Sequence, residues 1–381
     1  MILNPKIINF INSKTVTDFE PYYLYDTELI KEQCRTFRNI KYENKAIHFA
    51  TMANINPVFL KIVKEEGINV FVNSLLHLKE VLNAGFRNDE IIYTASALNK
   101  TIMSEIYNCN IQINLDSPAQ LRLWKSLFPD KRPGIRCNIG DKVKPYANHA
   151  GTFIGKESRL GFSLEELLEI DDKSFVKGLH IYVGTDISDV DYFISCYKEL
   201  IKLLEIFPHI DYLNFGGGFG VNENGEKHFD INNYNEKLSH LMIDTSQKYG
   251  KNLKLILEPG RIIGGAAGFF VCCVTDVKER DTINYVGVNA STVQFSRPLM
   301  YPDTALHPVT IIRNIIQLND EPAFNTILYG CSTYSRDIFR KNFVLPQMQI
   351  GDVVVLGNAG SYSASSHSQF LGFPKLEEYF I

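Results

Sequence analysis

Eight short apolar runs recur through the first two-thirds of this chain, at residues 46–50, 69–72, 90–94, 111–115, 134–139, 176–183, 212–215 and 253–257. Between most of them lie stretches with apolar residues at three- and four-residue spacing, at 57–66, 75–84, 118–128, 190–207 and 231–248. The first pattern suits buried strands and the second suits helices that cover them. Eight successive strand–helix units predict an α/β fold, a TIM-type (β/α)8 barrel, whose functional loops follow the C-terminal strand ends. Met52, Asn73, Asn138, Tyr182, Gly216 and Glu258 all fall at such ends, so closure would bring them together.

After Gly265 the helical spacing stops and β-rich runs replace it, at 269–277, 282–288, 309–316, 326–329 and 353–356. They predict an all-β C-terminal domain, joined by strand-like residues 6–10 and 22–25. The expected division is 26–265 for the barrel and 1–25 plus 266–381 for the β-rich domain. Residues 141–160 are the longest turn-rich stretch within the barrel, and long loops at a barrel mouth usually touch the ligand.

Composition narrows the function. A chain of 381 residues can bury an extensive core, and a net charge of −4 with 22% charged residues carries no basic excess for nucleic acid. The first residues lack a basic segment followed by a sustained apolar run, and no stretch approaches the ~18 apolar residues of a membrane span. A cytoplasmic protein is the expectation. Seven cysteines without metal-ligand spacing favour reduced, mostly buried thiols.

Residues 255–261, Leu-Ile-Leu-Glu-Pro-Gly-Arg, end an apolar strand on an acid, a turn and a guanidinium. Some forty residues earlier another strand opens into Gly216-Gly217-Gly218-Phe219-Gly220, where backbone N–H groups can approach a phosphate without interference from Cβ. Two anion-binding strand ends argue for one phosphorylated cofactor.

These motifs resemble those of the fold type III, pyridoxal 5'-phosphate (PLP) dependent decarboxylases acting on diaminopimelate, ornithine and arginine, distant relatives of alanine racemase. The resemblance spans almost the whole chain. It implies that Glu258 bonds the pyridine nitrogen and that Gly216, Gly217, Gly218, Gly260 and Arg261 help hold the cofactor phosphate or substrate. Arg297-Pro298-Leu299-Met300-Tyr301 is similar to the family's Arg-Pro-Ala-Leu-Tyr, so Arg297 and Tyr301 would grip a substrate carboxylate. Ala359-Gly360-Ser361-Tyr362 is similar to its C-terminal Gly-Ala-Tyr stretch, with Tyr362 reaching the phosphate. Residues 328–337 align with a segment lent to the neighbouring subunit's site across a head-to-tail homodimer; only Gly330, Ser335 and Asp337 match in type.

Several positions depart from the family pattern. The Schiff-base lysine of Tyr-Ala-Val-Lys-Ala-Asn is Met52 in Phe49-Ala50-Thr51-Met52-Ala53-Asn54. The aspartate that would pair with it aligns with Phe71, the ring-stacking histidine with Tyr182, and the phosphate-binding serine with Thr185. The proton-donating cysteine aligns with Thr333 and its acidic neighbour, which recognises a distal amine, with Tyr334. A single engineered change at Met52 would leave the surroundings of a working decarboxylase intact, so the further departures favour natural divergence. No nearby residue replaces the lysine: Lys45 and Lys61 lie before the strand and along the next helix, and His48 points opposite to Phe49 by strand alternation. His180 is as well suited to the core as to catalysis.

The expectation is therefore a PLP-dependent, decarboxylase-like protein acting on an amino acid or amino-acid conjugate. It would bind PLP noncovalently and assemble as a homodimer, without nucleic acid, membrane or metal. The alternatives are a noncatalytic PLP- or ligand-binding homologue and an engineered variant of an active enzyme.

Overall fold

The computed structural model describes residues 1–14, 19–146, 151–221, 229–318 and 323–381. The chain divides into two compact units, one of Met1–Ile30 with Gly264–Ile381 and one of Lys31–Val221 with the segment ending at Ile263.

In the second unit eight parallel strands close into a barrel: Lys45–Ala50, Asn69–Val72, Ile91–Thr94, Gln112–Leu115, Gly134–Arg136, Gly178–His180, Tyr212–Asn214 and Lys254–Leu257. The TIM-type architecture is as the spacing predicts. Two strands are shorter than expected. Beyond Arg136 the chain leaves the ladder, because Asn138 N–H donates to Phe162 O and Phe162 N–H to Arg136 O, each at 2.8 Å. The strand expected over 176–183 is regular only at Gly178–His180, with Ile181 N–H still donating to Asn214 O at 2.9 Å. Helix starts follow local chemistry. Asn56 accepts from Val58 N–H ahead of Pro57, Ser74 from His77 N–H, and Ser117 from Gln120 N–H ahead of Pro118. Strand parity sorts the side chains. Phe49 stacks on Phe59 of the helix Pro57–Glu65 at 5.1 Å, while His48 lies buried beside Val70 O at 3.2 Å. Residues 147–150 of the predicted mouth loop lie outside the described residues.

The other unit is built on a nine-stranded sheet and is mostly, not wholly, β. Residues 6–10, expected as a strand, belong to the helix Pro5–Lys14. Asn4 Oδ1 accepts from Ile7 N–H at 2.9 Å, Pro5 takes the first helical position, and Ile7 and Ile11, one turn apart, are both fully buried. A short apolar run could not distinguish the two states; packing of Ile7 and Ile11 against Leu24, Val271 and Val355 decides it. The expected strand 309–316 is a hairpin, Val309–Arg313 and Ile316–Gln317, because Asn314 and Ile315 turn the chain with φ of 48° and 75°. Two strands escaped the sequence reading, Ile338–Pro346 and Glu377–Phe380, the latter set by parallel pairing with Tyr22–Tyr25. All seven cysteines are free, five of them buried.

Candidate functional site

Glu258 leaves the strand Lys254–Leu257 with its N–H donating to Gly216 O at 2.7 Å, which joins the two motifs singled out in the sequence. Its side chain is 4% exposed. Asn214 Nδ2–H donates to Glu258 Oε1 at 2.6 Å, and Asn214 Oδ1 accepts from Gly216 N–H at 2.9 Å, so one amide ties the carboxylate to the glycine turn. Glu258 Oε2 lies 3.4 Å from His180 Nε2. Burial opposes ionisation of Glu258, but the neighbouring His180 and the hydrogen bond from the Asn214 amide outweigh it and hold the carboxyl below its usual range. An ionised carboxylate buried at the functional end of a barrel can keep an aromatic ring nitrogen protonated.

The glycines are demanded by close approach of backbones. A Cβ on Gly217 would sit 2.2 Å from Glu258 O, and one on Gly218, whose φ is +104°, 2.1 Å from Gly184 O. The turn that follows Gly184 carries Thr185, half-buried, and Asp186. Arg261 opens a short helix after Gly260 and is 6% exposed, with its Nε 2.7 Å from Asp186 Oδ1. Burial pushes the Asp186 carboxyl up, and Arg261 pulls against it.

Met52 lies two residues past the strand Lys45–Ala50, whose end is tied to this cluster by Ala50 N–H donating to Pro259 O at 3.0 Å. Thr51 N–H and Oγ1 both reach Phe71 O at 3.0 Å, and Thr51 Oγ1 also meets His77 Nδ1 at 2.9 Å. Met52 and Phe71 thus sit on neighbouring strand ends, a thioether and a phenyl ring. Lys45 begins the strand at its opposite end, and Lys61 is 74% exposed beside Glu65. Tyr182 is half-buried, packed edge-on against Phe153 at 5.1 Å, with the Arg136 guanidinium 5.9 Å from its ring centre.

Sequence reasoning missed Arg136, Asp116, Asn214 and Asp186. Arg136 Nη1 lies 3.8 Å from Asp116 Oδ1, and its Nη2 is buried without a hydrogen-bond partner among the described residues. Asp116 also accepts from Ser96 Oγ–H at 2.5 Å and from Gly161 N–H at 3.1 Å, while Arg159 donates to Ser96 Oγ at 3.4 Å. The signal was present: Arg136 and Asn214 are polar residues inside otherwise apolar barrel strands, where a side chain must face either the helices or the axis.

The remaining expected residues belong to the β-rich unit. Arg297 is 6% exposed, with its guanidinium 5.7 Å from the Tyr301 ring centre, so these two are brought together. Tyr362 lies in a turn with φ of +56°. Thr333 is exposed and Tyr334 half-buried, the latter edge-on to Phe370 at 5.6 Å. Asp337, buried behind them, accepts from Thr292 N–H and Oγ1–H, each at 2.7 Å, and from Ser332 N–H and Oγ–H. Among the described residues there is no cluster that could hold a metal ion, and no helix long and apolar enough to cross a membrane.

Glu258, the glycine turn and Arg261 thus lie together at one end of a closed barrel. Residues 27–265 match the family model "pyridoxal-dependent decarboxylase, pyridoxal binding domain", and the chain belongs to that family; its cofactor is PLP, and it is carboxy-lyase-like. Diaminopimelate decarboxylase of Methanothermobacter thermautotrophicus is 28% identical over 380 residues, covering 95% of this chain and 86% of the relative. Among solved structures, diaminopimelate decarboxylase of Helicobacter pylori complexed with L-lysine superposes with a TM-score of 0.83 at 23% identity, covering 96% of this chain and 92% of that one. Lysine/ornithine decarboxylase of Vibrio vulnificus complexed with putrescine gives 0.84 at 20% identity, covering 100% and 99%. At such identities the superpositions bear on the fold alone.

Proposed function

We propose that the chain binds PLP noncovalently and acts by decarboxylation, or a related carbon-centre reaction, on an amino acid or amino-acid conjugate with a free carboxylate. The observation that carries the proposal is Glu258, buried yet held ionised by His180 and Asn214 beside a glycine turn. PLP, when bound, supplies an electron sink for the carbon that loses carbon dioxide. Glu258 holds the proton on the ring nitrogen that sustains that sink. Tyr182 offers a ring face to the cofactor, and Gly216, Gly217, Gly218, Thr185, Gly260, Arg261 and Tyr362 hold its phosphate. Arg297 and Tyr301 orient the substrate carboxylate through a planar fork and a phenol. Thr333 and Tyr334 of a second copy complete the site, and their replacement of a thiol and an acid alters substrate preference.

The test is a PLP titration with borohydride treatment. Saturable binding that borohydride cannot fix to the chain, with carbon dioxide released from a panel of amino acids, is the expected result; absence of saturable binding between about pH 6 and 9, where PLP remains anionic, removes the cofactor role. The apolar pair Met52 and Phe71 favours a second function, ligand binding without turnover. Saturable PLP binding with no carbon dioxide from any amino acid would select it.

A further inference from the structure

We propose that Asp186 is a built-in competitor of the cofactor phosphate, a carboxylate placed at the rim of the anion cup, so that this chain takes PLP as an exchangeable ligand. The inference rests on reading Gly216–Gly218 and Arg261 as the phosphate cup, and it concerns the carboxylate that stands beside it.

Three turns pack together at this end of the barrel. The glycine turn lies against Glu258 O on one side and Gly184 O on the other. Ile187 N–H donates to Gly218 O at 2.9 Å, and Gly220 N–H donates back to Ile187 O at 3.0 Å, so residues 184–187 are laced along the glycines. Within that lacing Asp186 adopts φ of +55°, a left-handed conformation that costs most residues free energy and that aspartate tolerates. The carboxylate thereby reaches Arg261 Nε at 2.7 Å. The guanidinium is 6% exposed, whereas 35% of the Asp186 side chain remains open. The lacing holds the carboxylate at the rim of the cup.

The electrostatic consequence follows from charge. A buried guanidinium requires a counter-charge. Asp186 supplies one within the chain, so an arriving phosphate meets a neutral pair in place of a cation and also faces the carboxylate at short range in a partly desolvated site. Both effects weaken phosphate binding. Together with Met52, which provides no covalent attachment, they make the cofactor a ligand that comes and goes.

The experiment measures PLP affinity by equilibrium dialysis for the wild type, Asp186→Asn and Asp186→Gly. Both replacements suit a left-handed residue and remove the charge. Each should tighten PLP by about tenfold or more, tighten inorganic phosphate, measured alone, in the same direction, and leave pyridoxal, which lacks the phosphate, unchanged. Tighter PLP binding by the variants with no measurable binding by the wild type would support the proposal in its strongest form. Unchanged or weaker PLP binding by variants with wild-type circular dichroism and thermal midpoint overturns it, as does an equal gain for pyridoxal. If wild type and variants bind PLP alike, the cup survives and only the role of Asp186 falls. If none of them binds PLP or phosphate, the cup falls with it.

Discussion

Two residues on one barrel strand and its end give testable chemistry. His48 is fully enclosed, and burial drops its pKa to about 4, against the opposing pull of its hydrogen bond to Val70 O and the charge of Glu258. The folded chain therefore keeps His48 neutral while the unfolded chain protonates it near pH 6.5. Between about pH 6.5 and 4 the unfolded state binds the extra proton, so stability falls as pH drops, by about 3 kcal/mol from this group, and levels off below pH 4. Urea unfolding at pH 4.5 and 7 should show a smaller pH difference for His48→Gln than for the wild type; equal differences would mean that His48 is not the group responsible. Just past the C-terminal end of the same strand, Met52→Lys should raise PLP affinity and allow borohydride to fix the cofactor to the chain. An ammonium beside Phe71 lacks an anion, so burial lowers its pKa and favours the nucleophilic amine. Mass spectrometry after reduction checks the outcome. Full turnover of diaminopimelate, ornithine or arginine by this one change would imply that Thr333 and Tyr334 do not restrict the site, and would count against natural divergence.

The segment 331–337 matters as an element because its two ends are held differently. Asp337 accepts four hydrogen bonds, two from Thr292 and two from Ser332, and thereby ties the base of the segment to the turn that carries Thr292. Thr333, by contrast, is exposed and Tyr334 half-buried, at the outward part of the segment. Asp337→Asn turns an acceptor toward donors as a second donor, and an unsatisfied buried pair costs about 1–3 kcal/mol. Guanidinium chloride unfolding should register that loss. A stability within about 0.5 kcal/mol of wild type, the range of neutral surface changes, would show that the carboxylate does not hold the segment.

At the scale of the whole molecule the prediction is a two-fold dimer with an interface of obligate size, roughly 2,000 Å² or more. Thr333 and Tyr334 lie in the β-rich unit, while Glu258, Arg261 and the glycine turn belong to the barrel unit. Mixing an Arg261 variant with a Tyr334 variant should regenerate one intact site per mixed dimer and with it part of the ligand binding. A monomer by light scattering, or no recovery despite proven subunit exchange, would show that this segment serves no neighbouring barrel.

Local pattern was enough for the barrel and its principal acid. Strand and helix periods differ, so eight alternating units are legible without knowing the partners, and Glu258, Arg261 and the glycine triplet stand where strands stop. Short apolar runs are less decisive, which is why residues 6–10 proved helical once Asn4 capped them and Ile7 and Ile11 were buried. Convergence is not a local property. Arg136, His180, Asn214 and Glu258 come from four different strands, and barrel closure alone makes Asn214 and His180 the groups that keep Glu258 ionised. Asp186 is one residue past Thr185 in the sequence, yet its meaning depends on a left-handed turn that aims it at Arg261, seventy-five positions later. Sequence alone determined which residue types stand at the strand ends; the tertiary structure decided which of them neutralise one another, because electrostatic interaction depends on distance through space and on burial.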